Sequence, residues 1–392
     1  MSVSSTGGAP TKLLRDRRKG RAAHVTNMEL FFDLVYVFAF TQLSELLYDN
    51  LGWLGAAEMA VIFVALWWSW SYTAWATGWI DPERIPVVAL LGLLMLLSLV
   101  MAASIVEGFA ERGEAFALAY VAMQLLRGGF MVRAFGMRDP MGRNYLQLLG
   151  WSALSGAIWI VGGAIHDSHT RLLVWLAAAA VDLLAPALGF RLPGAGATPM
   201  ADWSVAGGHL AERCQLLLMI AFGESIMRVG EAWVHRDGSF AADCAFVIGF
   251  VWVVCLWSVY FLHHAEPGAK AIERAGAQAA RLARSAYMYA HAAMVAGVVV
   301  VAVAIHRVIE APSAASGAGL AAICVCGPAL LLVGLTFSKR WLGHGPGHRW
   351  PLIGVVALAA MGAAAAFGDQ LLELGAVTAV SAVLAVRAQL SD

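Results

Sequence analysis

Apolar residues in this chain form long continuous runs, separated by short polar connections. A helix needs about 20 consecutive apolar residues to cross a bilayer. Stretches of this length predict twelve membrane-spanning helices, at residues 29–48, 53–79, 86–108, 114–135, 143–164, 171–190, 208–229, 242–264, 283–306, 317–338, 350–367 and 369–388. Only Gly368 and Asp369 mark the boundary between the last two.

Composition places the chain among multi-pass membrane proteins. Of its 392 residues, 60% are apolar and 13% are charged, and the mean hydropathy is +0.72. Soluble domains carry about 25% charged residues, so a soluble globular fold is excluded. We therefore expect an all-α polytopic membrane protein. Its formal net charge is zero, which gives no indication of nucleic-acid binding. Membrane lipids are the expected partners, with an ion or small solute as a possible substrate and a homo-oligomer as a possible assembly.

The distribution of Lys and Arg predicts the orientation. When twelve spans are counted, most of the 26 basic residues fall in connections on the side of the N-terminus. Cytoplasmic connections are enriched in Lys and Arg. We therefore expect both termini to face the cytoplasm, and we expect the protein to lie in a bacterial inner membrane. Residues 1–24 then form a basic tail against anionic lipid. Glu29 and Asp33 in the first apolar stretch, with no small-residue cleavage site after it, argue against removal as a signal peptide.

The two halves of the chain show weak self-similarity. Glu29 aligns with Glu212, and the residues that follow each of them are alike in hydropathy. Because each half holds an even number of predicted spans, the repeats would have the same orientation in the membrane. The predicted organisation is a tail at 1–24, a first six-helix repeat at 25–192, a linker at 193–208 and a second six-helix repeat at 209–392.

Acidic side chains in the predicted first and seventh spans are the main indication of function. Glu29 and Asp33 lie one helical turn apart, on one face of the first span. An ionised carboxylate in hydrocarbon costs a few kcal/mol unless it finds a partner, so such residues are candidates for a functional site. They could bind a cation or exchange protons, or they could pair with Arg213 in a structural role. The candidate transport or ion-binding residues are Glu29, Asp33, Glu212, Arg213, Glu224 and His291.

The predicted repeat adds a geometric expectation for these candidates. Spans one and seven would lie at equivalent depths, which would bring Glu29, Asp33, Glu212 and Arg213 to one level near the cytoplasmic side. Glu224 follows Gly223 in an apolar context and could line a pathway or be structural. His291 could carry protons or be a hydrogen-bonded residue of the core. Elsewhere, Arg127 and Asp182 are polar groups at membrane depth, and a buried pair between them is a further hypothesis.

Other kinds of chemistry have little support in the sequence. The five cysteines show no CxxC or Cys/His ligand spacing, and the neighbouring His263 and His264 supply too few ligands for a metal site. There is no HExxH or GxSxG motif. We therefore expect no cofactor, no metal and no enzymatic activity.

Three blocks of sequence carry a resemblance to a known family: ELFFDLVYVFAFTQLS at 29–44, HLAERCQLLLMIAFGESIM at 209–227 and YMYAHAAMVAG at 287–297. With these blocks the chain resembles the bacterial low temperature requirement protein A family, LtrA, over essentially its whole length. The resemblance implies an integral membrane protein linked to growth in the cold. Two functions are left open: transport of a cation, proton or small solute along a polar path, and a non-transporting role that organises a complex or adjusts the envelope.

Overall fold

The computed structural model describes residues 13–15, 25–194, 196–198, 203, 206–236, 238–343 and 350–389. Its helices are α1 (Asn27–Asp49), α2 (Trp53–Thr77), α3 (Ile85–Ala103), α4 (Gly113–Phe135), α5 (Pro140–Ala164), α6 (Ser168–Ala187), α7 (Gly207–Val234), α8 (Phe240–Phe261), α9 (Ala265–Glu273), α10 (Ala279–Leu282), α11 (Ala290–Glu310), α12 (Ala318–Trp341), α13 (Trp350–Ala365) and α14 (Gln370–Gln389). Among these residues, β pairing is limited to isolated bridges. The predicted all-α class is confirmed.

Ten helices of the described chain are long and apolar enough to cross a membrane, which supports a multi-pass membrane protein. Each predicted apolar stretch coincides with a helix, but α7 and α13 are not among the ten. α7 contains five charged residues: Glu212, Arg213, Glu224, Arg228 and Glu231. α13 has 16 residues, roughly 24 Å of helix against a hydrocarbon core of about 30 Å. The predicted twelve crossings, the repeat and the orientation stay predictions.

Some helix boundaries differ from those expected from hydropathy. α3 ends at Ala103, and the turns that follow contain an ion pair between Arg112 and Glu107 at 2.6 Å. A short helix, α9, follows α8 and is stabilised by the pair Lys270–Glu266. A π-helix at Ala283–Tyr289 precedes α11. Hydropathy averages over whole turns, so it does not detect a change in local helical pitch.

The helices form two compact units. The first unit comprises Met1–Val35 and Trp68–Val205, and the second comprises Tyr36–Trp67 and Ala206–Asp392. Two of the three boundaries fall inside helices, so α1 and α2 each contribute residues to both units. The candidate residues are therefore described unit by unit.

Aromatic side chains fill the core of the first unit. Trp159 and Trp175 are fully buried, and their ring centroids lie 5.4 Å apart. Tyr120 packs edge-on against Trp159 at 5.2 Å, and Phe116 contacts both tryptophans. Aromatic rings of this size bury large areas and prefer such tilted contacts. They hold α4, α5 and α6 together and place the polar atoms of Tyr120 and Trp159 inside the unit.

Glycines bring α11 and α12 into direct backbone contact in the second unit. A Cβ atom added at Gly297 would lie 2.4 Å from the carbonyl oxygen of Gly327, and one added at Gly334 would lie 2.5 Å from that of Ala290. Small residues permit this close approach, which is typical of helix pairs in membranes. α11 is buried along almost its entire length, so the other helices of the unit pack around this pair.

The substitution Gly297→Ala is expected to lower the free energy of unfolding by about 1–3 kcal/mol, the usual cost of overpacking a core. The added methyl group meets backbone atoms, which cannot move away as a flexible side chain would. Unfolding by titration with a denaturing detergent, followed by circular dichroism, measures the change. Gly375→Ala in α14 is the matched control, because a Cβ there has no neighbour within 4 Å. Equal stability of the two variants would contradict the prediction.

Candidate functional site

Glu29 at the start of α1 is fully buried and ion-paired. Its Oε2 atom lies 3.0 Å from Nη2 of Arg15 and accepts hydrogen bonds from the N–H and hydroxyl groups of Thr26, both at 2.9 Å. The backbone N–H of Glu29 in turn donates to the hydroxyl of Thr26 at 3.4 Å. Reciprocal bonds of this kind form a capping box. Glu29 therefore has a structural role at the helix start, whatever else it does.

The described part of the basic tail is fixed to the end of α2. The N–H group of Arg15 donates to the carbonyl of Trp79 at 2.8 Å, and that of Asp81 donates to the carbonyl of Leu13 at 2.9 Å. The Arg15 guanidinium also donates from Nε to the carbonyls of Thr77 and Ile80. The remainder of the tail at 1–24 lies outside the described residues, so its predicted contact with lipid stays a prediction.

Asp33 lies one turn beyond Glu29 and is also fully buried. The indole N–H of Trp70 on α2 donates a hydrogen bond to its Oδ1 atom at 2.8 Å. Trp70 is itself buried, so the bond is shielded from water and holds α1 against α2 within the first unit. Although Glu29 and Asp33 share a helix face, they have different partners in the described structure.

A larger charged cluster joins α1 and α7 in the second unit. Nε of Arg228 lies 3.0 Å from Glu224 Oε1, and Nη1 lies 3.1 Å from Oε2 of both Glu45 and Glu231. The hydroxyl of Thr41 donates to Glu224 Oε2 at 2.6 Å, while Arg228 donates from Nη2 to the carbonyl of Thr41 at 2.7 Å. We call Thr41, Glu45, Glu224, Arg228 and Glu231 the Arg228 cluster.

The Arg228 cluster runs from the surface into the core. The side chains of Glu231 and Glu45 are 51% and 37% exposed, that of Arg228 is 4% exposed, and that of Glu224 is fully buried. One guanidinium faces three carboxylates, so the cluster carries a net negative charge when all of its acids are ionised. A cation or proton entering from the exposed end would therefore be attracted towards Glu224.

Glu212 and Arg213 lie at a different level of α7. They precede Glu224 by about three turns, roughly 17 Å along the helix axis, and so they are not members of the Arg228 cluster. Arg213 is fully buried, whereas Glu212 is partly exposed. The expectation that they share one level with Glu29 and Asp33 stays a prediction.

His291 lies in a closed hydrogen-bonded arrangement at the start of α11. Its Nδ1 atom is 2.9 Å from the carbonyl oxygen of Ala286, and its Nε2 atom is 2.6 Å from the hydroxyl of Tyr260. A carbonyl only accepts, so Nδ1 carries the proton and Nε2 accepts from Tyr260. Tyr287 stacks on the imidazole at 4.9 Å. This geometry is that of a hydrogen-bonded core histidine, and a transport role for His291 stays a prediction.

Arg127 and Asp182 are linked through two intervening side chains instead of the direct pair considered from the sequence. Asp182 Oδ2 accepts hydrogen bonds from the Tyr120 hydroxyl at 2.8 Å and from Trp159 Nε1 at 2.9 Å. Gln124 donates to the Tyr120 oxygen at 2.9 Å and accepts from Arg127. All of these groups are buried in the first unit, where they form a continuous polar network.

Several members of these sites were missed from the sequence, namely Arg15, Thr41, Trp70 and Arg228. Two signals were available. The spacing Thr-x-x-Glu before an apolar run is typical of a capping box, and Glu224 with Arg228 four residues later is typical of a pair on one helix face. Arg228 lies near the end of the predicted seventh span, at 208–229, but it was not singled out as a candidate.

No group of three or more His, Cys, Asp or Glu side chains within the described ranges could hold a metal ion. Two cavities of about 380 and 550 Å³ lie in the second unit, and neither is lined by Glu224 or Arg228. The larger is bordered by Glu266 and Lys270 of α9 and by Arg274, which directly follows α9. All three acids of the Arg228 cluster are paired with Arg228, and neither of these two cavities is lined by that pair.

Comparisons with known proteins agree with this architecture. The family described as bacterial low temperature requirement A protein (LtrA) matches residues 24–386. An uncharacterized protein of Rhizobium meliloti (strain 1021) is 34% identical over 314 residues, which cover 80% of this chain and 76% of that protein. No solved structure matches the chain. Since the family match spans nearly all of the helical region, this protein belongs to the bacterial low temperature requirement A (LtrA) family.

Proposed function

We propose that this LtrA protein moves a cation, a proton or a small solute across the membrane, along a polar path that includes the acids of α1 and α7. The observation that carries the proposal is the Arg228 cluster, in which charge extends from an exposed rim to a fully buried carboxylate. A purely structural ion pair would not need two further acids around one guanidinium. An excess of acids favours a positively charged substrate over an anion.

The burial of the cluster also supports a transport role. Desolvating a carboxylate and a guanidinium costs several kcal/mol per ion, and a buried ion pair is often no more stabilising than apolar residues of the same volume. Stability alone therefore gives a weak reason for the pair. Ionisable residues at membrane depth mark substrate or proton pathways in many transporters.

The proposal includes the finer topology expected from the sequence: twelve crossings in two parallel six-helix repeats, both termini in the cytoplasm, and location in the bacterial inner membrane. α7 would then be a span despite its charges. Its 28 residues make roughly 42 Å of helix, and the mutual pairing of Glu224 and Arg228 reduces the cost of their burial. A role in growth at low temperature, which the family name implies, is part of the same proposal.

Reconstitution into liposomes tests the proposal. Gradients of protons, K⁺ and Na⁺ are imposed in turn, and flux is followed with dyes enclosed in the vesicles. Wild-type protein is expected to give a flux above that of empty liposomes, and Glu224→Gln is expected to lower it by at least about tenfold, equivalent to about 1.4 kcal/mol on the barrier. Glu107→Gln is the control and should leave the flux unchanged, because Glu107 is an exposed acid that lies outside the Arg228 cluster.

The outcomes separate the two functions left open by the sequence. No flux above empty liposomes under any of these gradients would contradict transport of protons and of these cations. A flux that is equal in wild type and Glu224→Gln would show that the cluster is not on the path. Only the first result, the absence of flux, would favour the alternative, a non-transporting membrane protein that organises a complex or adjusts the envelope in the cold.

A further inference from the structure

A carboxyl group on α14 differs from the acids of α1 and α7 because no cation accompanies it. Glu373 is fully buried, and the hydroxyl of Ser316 donates a hydrogen bond to its Oε2 atom. Across the described ranges, Oε1 has no hydrogen-bond partner. There, no basic nitrogen lies within ion-pair distance of the carboxyl, and no nearby positive charge acts on it. By contrast, Glu29 has Arg15 and Glu224 has Arg228.

Backbone pairing between two connections places Ser316 over this carboxyl. The N–H group of Ser316 donates to the carbonyl of Gly368 at 3.0 Å, and the N–H of Gln370 donates to the carbonyl of Ala314 at 3.0 Å. Ala315 and Asp369 form an isolated antiparallel bridge between the same segments. Ser316 is partly exposed and Ala314 and Ala315 are exposed, so its hydroxyl lies between the buried carboxyl and the surface of the second unit.

The remaining surroundings of the carboxyl are apolar. A Cβ atom added at Gly362 of α13 would lie 3.6 Å from Oε1 of Glu373, so this oxygen faces the backbone side of a glycine. Cys324 of α12, also fully buried, is a neighbouring titratable group. α14 packs against α8, α11, α12 and α13. None of these neighbours contributes a hydrogen-bond donor to Oε1.

Within the described part of the chain, the charged and titratable groups on these elements form no ion pair or hydrogen bond with Glu373, although Cys324 is its neighbour. They are Asp243, Cys244, Cys255 and Tyr260 on α8, His291, His306, Arg307 and Glu310 on α11, Cys324, Cys326, Lys339 and Arg340 on α12, and Arg387 on α14 itself, while α13 has none. Asp243 pairs with Arg236, and His306 pairs with Glu310. On α12, Lys339 lies more than three helical turns beyond Cys324, and on α14, Arg387 lies more than three turns beyond Glu373. Each separation is roughly 20 Å along the helix axis.

A carboxylate in this position would be an isolated buried charge. Such groups take up a proton instead of remaining ionised, because the cost of removing a lone charge from water exceeds that of protonation. The hydrogen-bond pattern fits a neutral acid. With the proton on Oε1, the remaining oxygen Oε2 accepts from Ser316, and no bond to Oε1 as an acceptor is needed.

We propose that Glu373 is a proton-binding site of this protein, occupied by a proton in the described structure and exchanging it with water through Ser316. The site does not depend on the path proposed for α1 and α7. Its chemistry differs as well, because Glu224 holds its charge opposite Arg228, whereas Glu373 changes between a neutral and an ionised form.

Infrared difference spectroscopy on the full chain in lipid nanodiscs tests this assignment. The carbonyl stretch of a protonated carboxylic acid is separate from the bands of carboxylates and amides. At neutral pH the wild-type protein is expected to show this band, and Glu373→Gln is expected to lose it. An identical band in wild type and Glu373→Gln would overturn the proposal, because Glu373 would then be ionised. Glu224→Gln is expected to leave the band unchanged, which makes this result independent of the flux experiment.

Labelling with the hydrophobic reagent dicyclohexylcarbodiimide identifies the residue whose carboxyl group is protonated. The acid O–H adds across one C=N bond of the reagent, and the adduct rearranges to a stable N-acylurea that keeps every atom of both reactants. Peptide mass spectrometry is expected to find this adduct on Glu373. Ser316→Ala should move the midpoint of labelling to higher pH by about one unit, because the hydroxyl no longer stabilises the ionised form.

The isosteric variant Thr378→Val is the matched control for Ser316→Ala. Thr378 lies on the same helix, and its hydroxyl has no partner within the described part of the chain, so its removal should leave the midpoint unchanged. An unchanged midpoint in Ser316→Ala would overturn the contact between Ser316 and the ionised carboxyl, through which the proton is proposed to exchange.

Discussion

Replacement of Arg228 by methionine is expected to lower the free energy of unfolding by about 3–5 kcal/mol, the usual cost of leaving one partner of a buried ion pair unpaired. Methionine keeps most of the volume of the side chain and removes its charge. Glu224 would then be buried with only the hydroxyl of Thr41 as a partner, while Glu45 and Glu231 can turn to solvent. Detergent-induced unfolding followed by circular dichroism measures the loss.

A double-mutant cycle shows whether the loss of stability arises from the buried charge of Glu224 that is left unpaired. Glu224→Gln in the Arg228→Met background should recover a large part of the stability, because no buried carboxylate remains, and coupling between contacting residues is typically about 0.5–3 kcal/mol. Arg236→Met is the control, since its ion pair with Asp243 is more exposed and such pairs contribute about 0–1 kcal/mol. Strictly additive effects of the Glu224 and Arg228 substitutions would argue against the pair.

Replacement of Asp182 by alanine is expected to lower the free energy of unfolding by about 2–4 kcal/mol, because each buried donor left without an acceptor costs about 1–3 kcal/mol. Two donors lose their acceptor at once, the hydroxyl of Tyr120 and the indole N–H of Trp159. Both lie inside the aromatic core of the first unit, where no water is expected to replace the lost oxygen.

Asp182→Asn is the matched variant for this second experiment. The amide oxygen can still accept from Tyr120 and Trp159, so the loss should stay near 1 kcal/mol, within the range for one ordinary hydrogen bond. The same unfolding titration compares the three proteins. If the alanine and asparagine variants were equally destabilised, the charge of Asp182 would matter instead of its role as an acceptor.

The helical architecture could be predicted because membrane spans have a simple requirement. A helix that crosses hydrocarbon must carry a long apolar run, and the sequence displays these runs directly. The predictions were less complete where a helix departs from regular pitch, as in the π-helix Ala283–Tyr289, or where it is short and amphipathic, as in α9. Neither feature changes the average hydropathy enough to be detected.

The candidate acids could also be found in the sequence, but not their partners. Burial of Glu29, Asp33 and Glu224 follows from their apolar surroundings, whereas Arg15 and Trp70 reach them from other segments of the chain. Such contacts depend on how helices pack, and a single sequence contains no distances between them. Glu373 was not singled out, because its position in the first turn of α14 resembles an ordinary acidic residue at a helix start.

The attachment of Arg15 has a consequence for biogenesis. Its guanidinium binds Glu29 of α1 and the carbonyls of Thr77 and Ile80 at the far end of α2. These contacts can therefore all form only after both helices have left the ribosome, so Glu29 has no Arg15 partner fixed by α2 until then. The emergence of Ile80 from the ribosome is thus the earliest point at which Arg15 can form all three of these contacts.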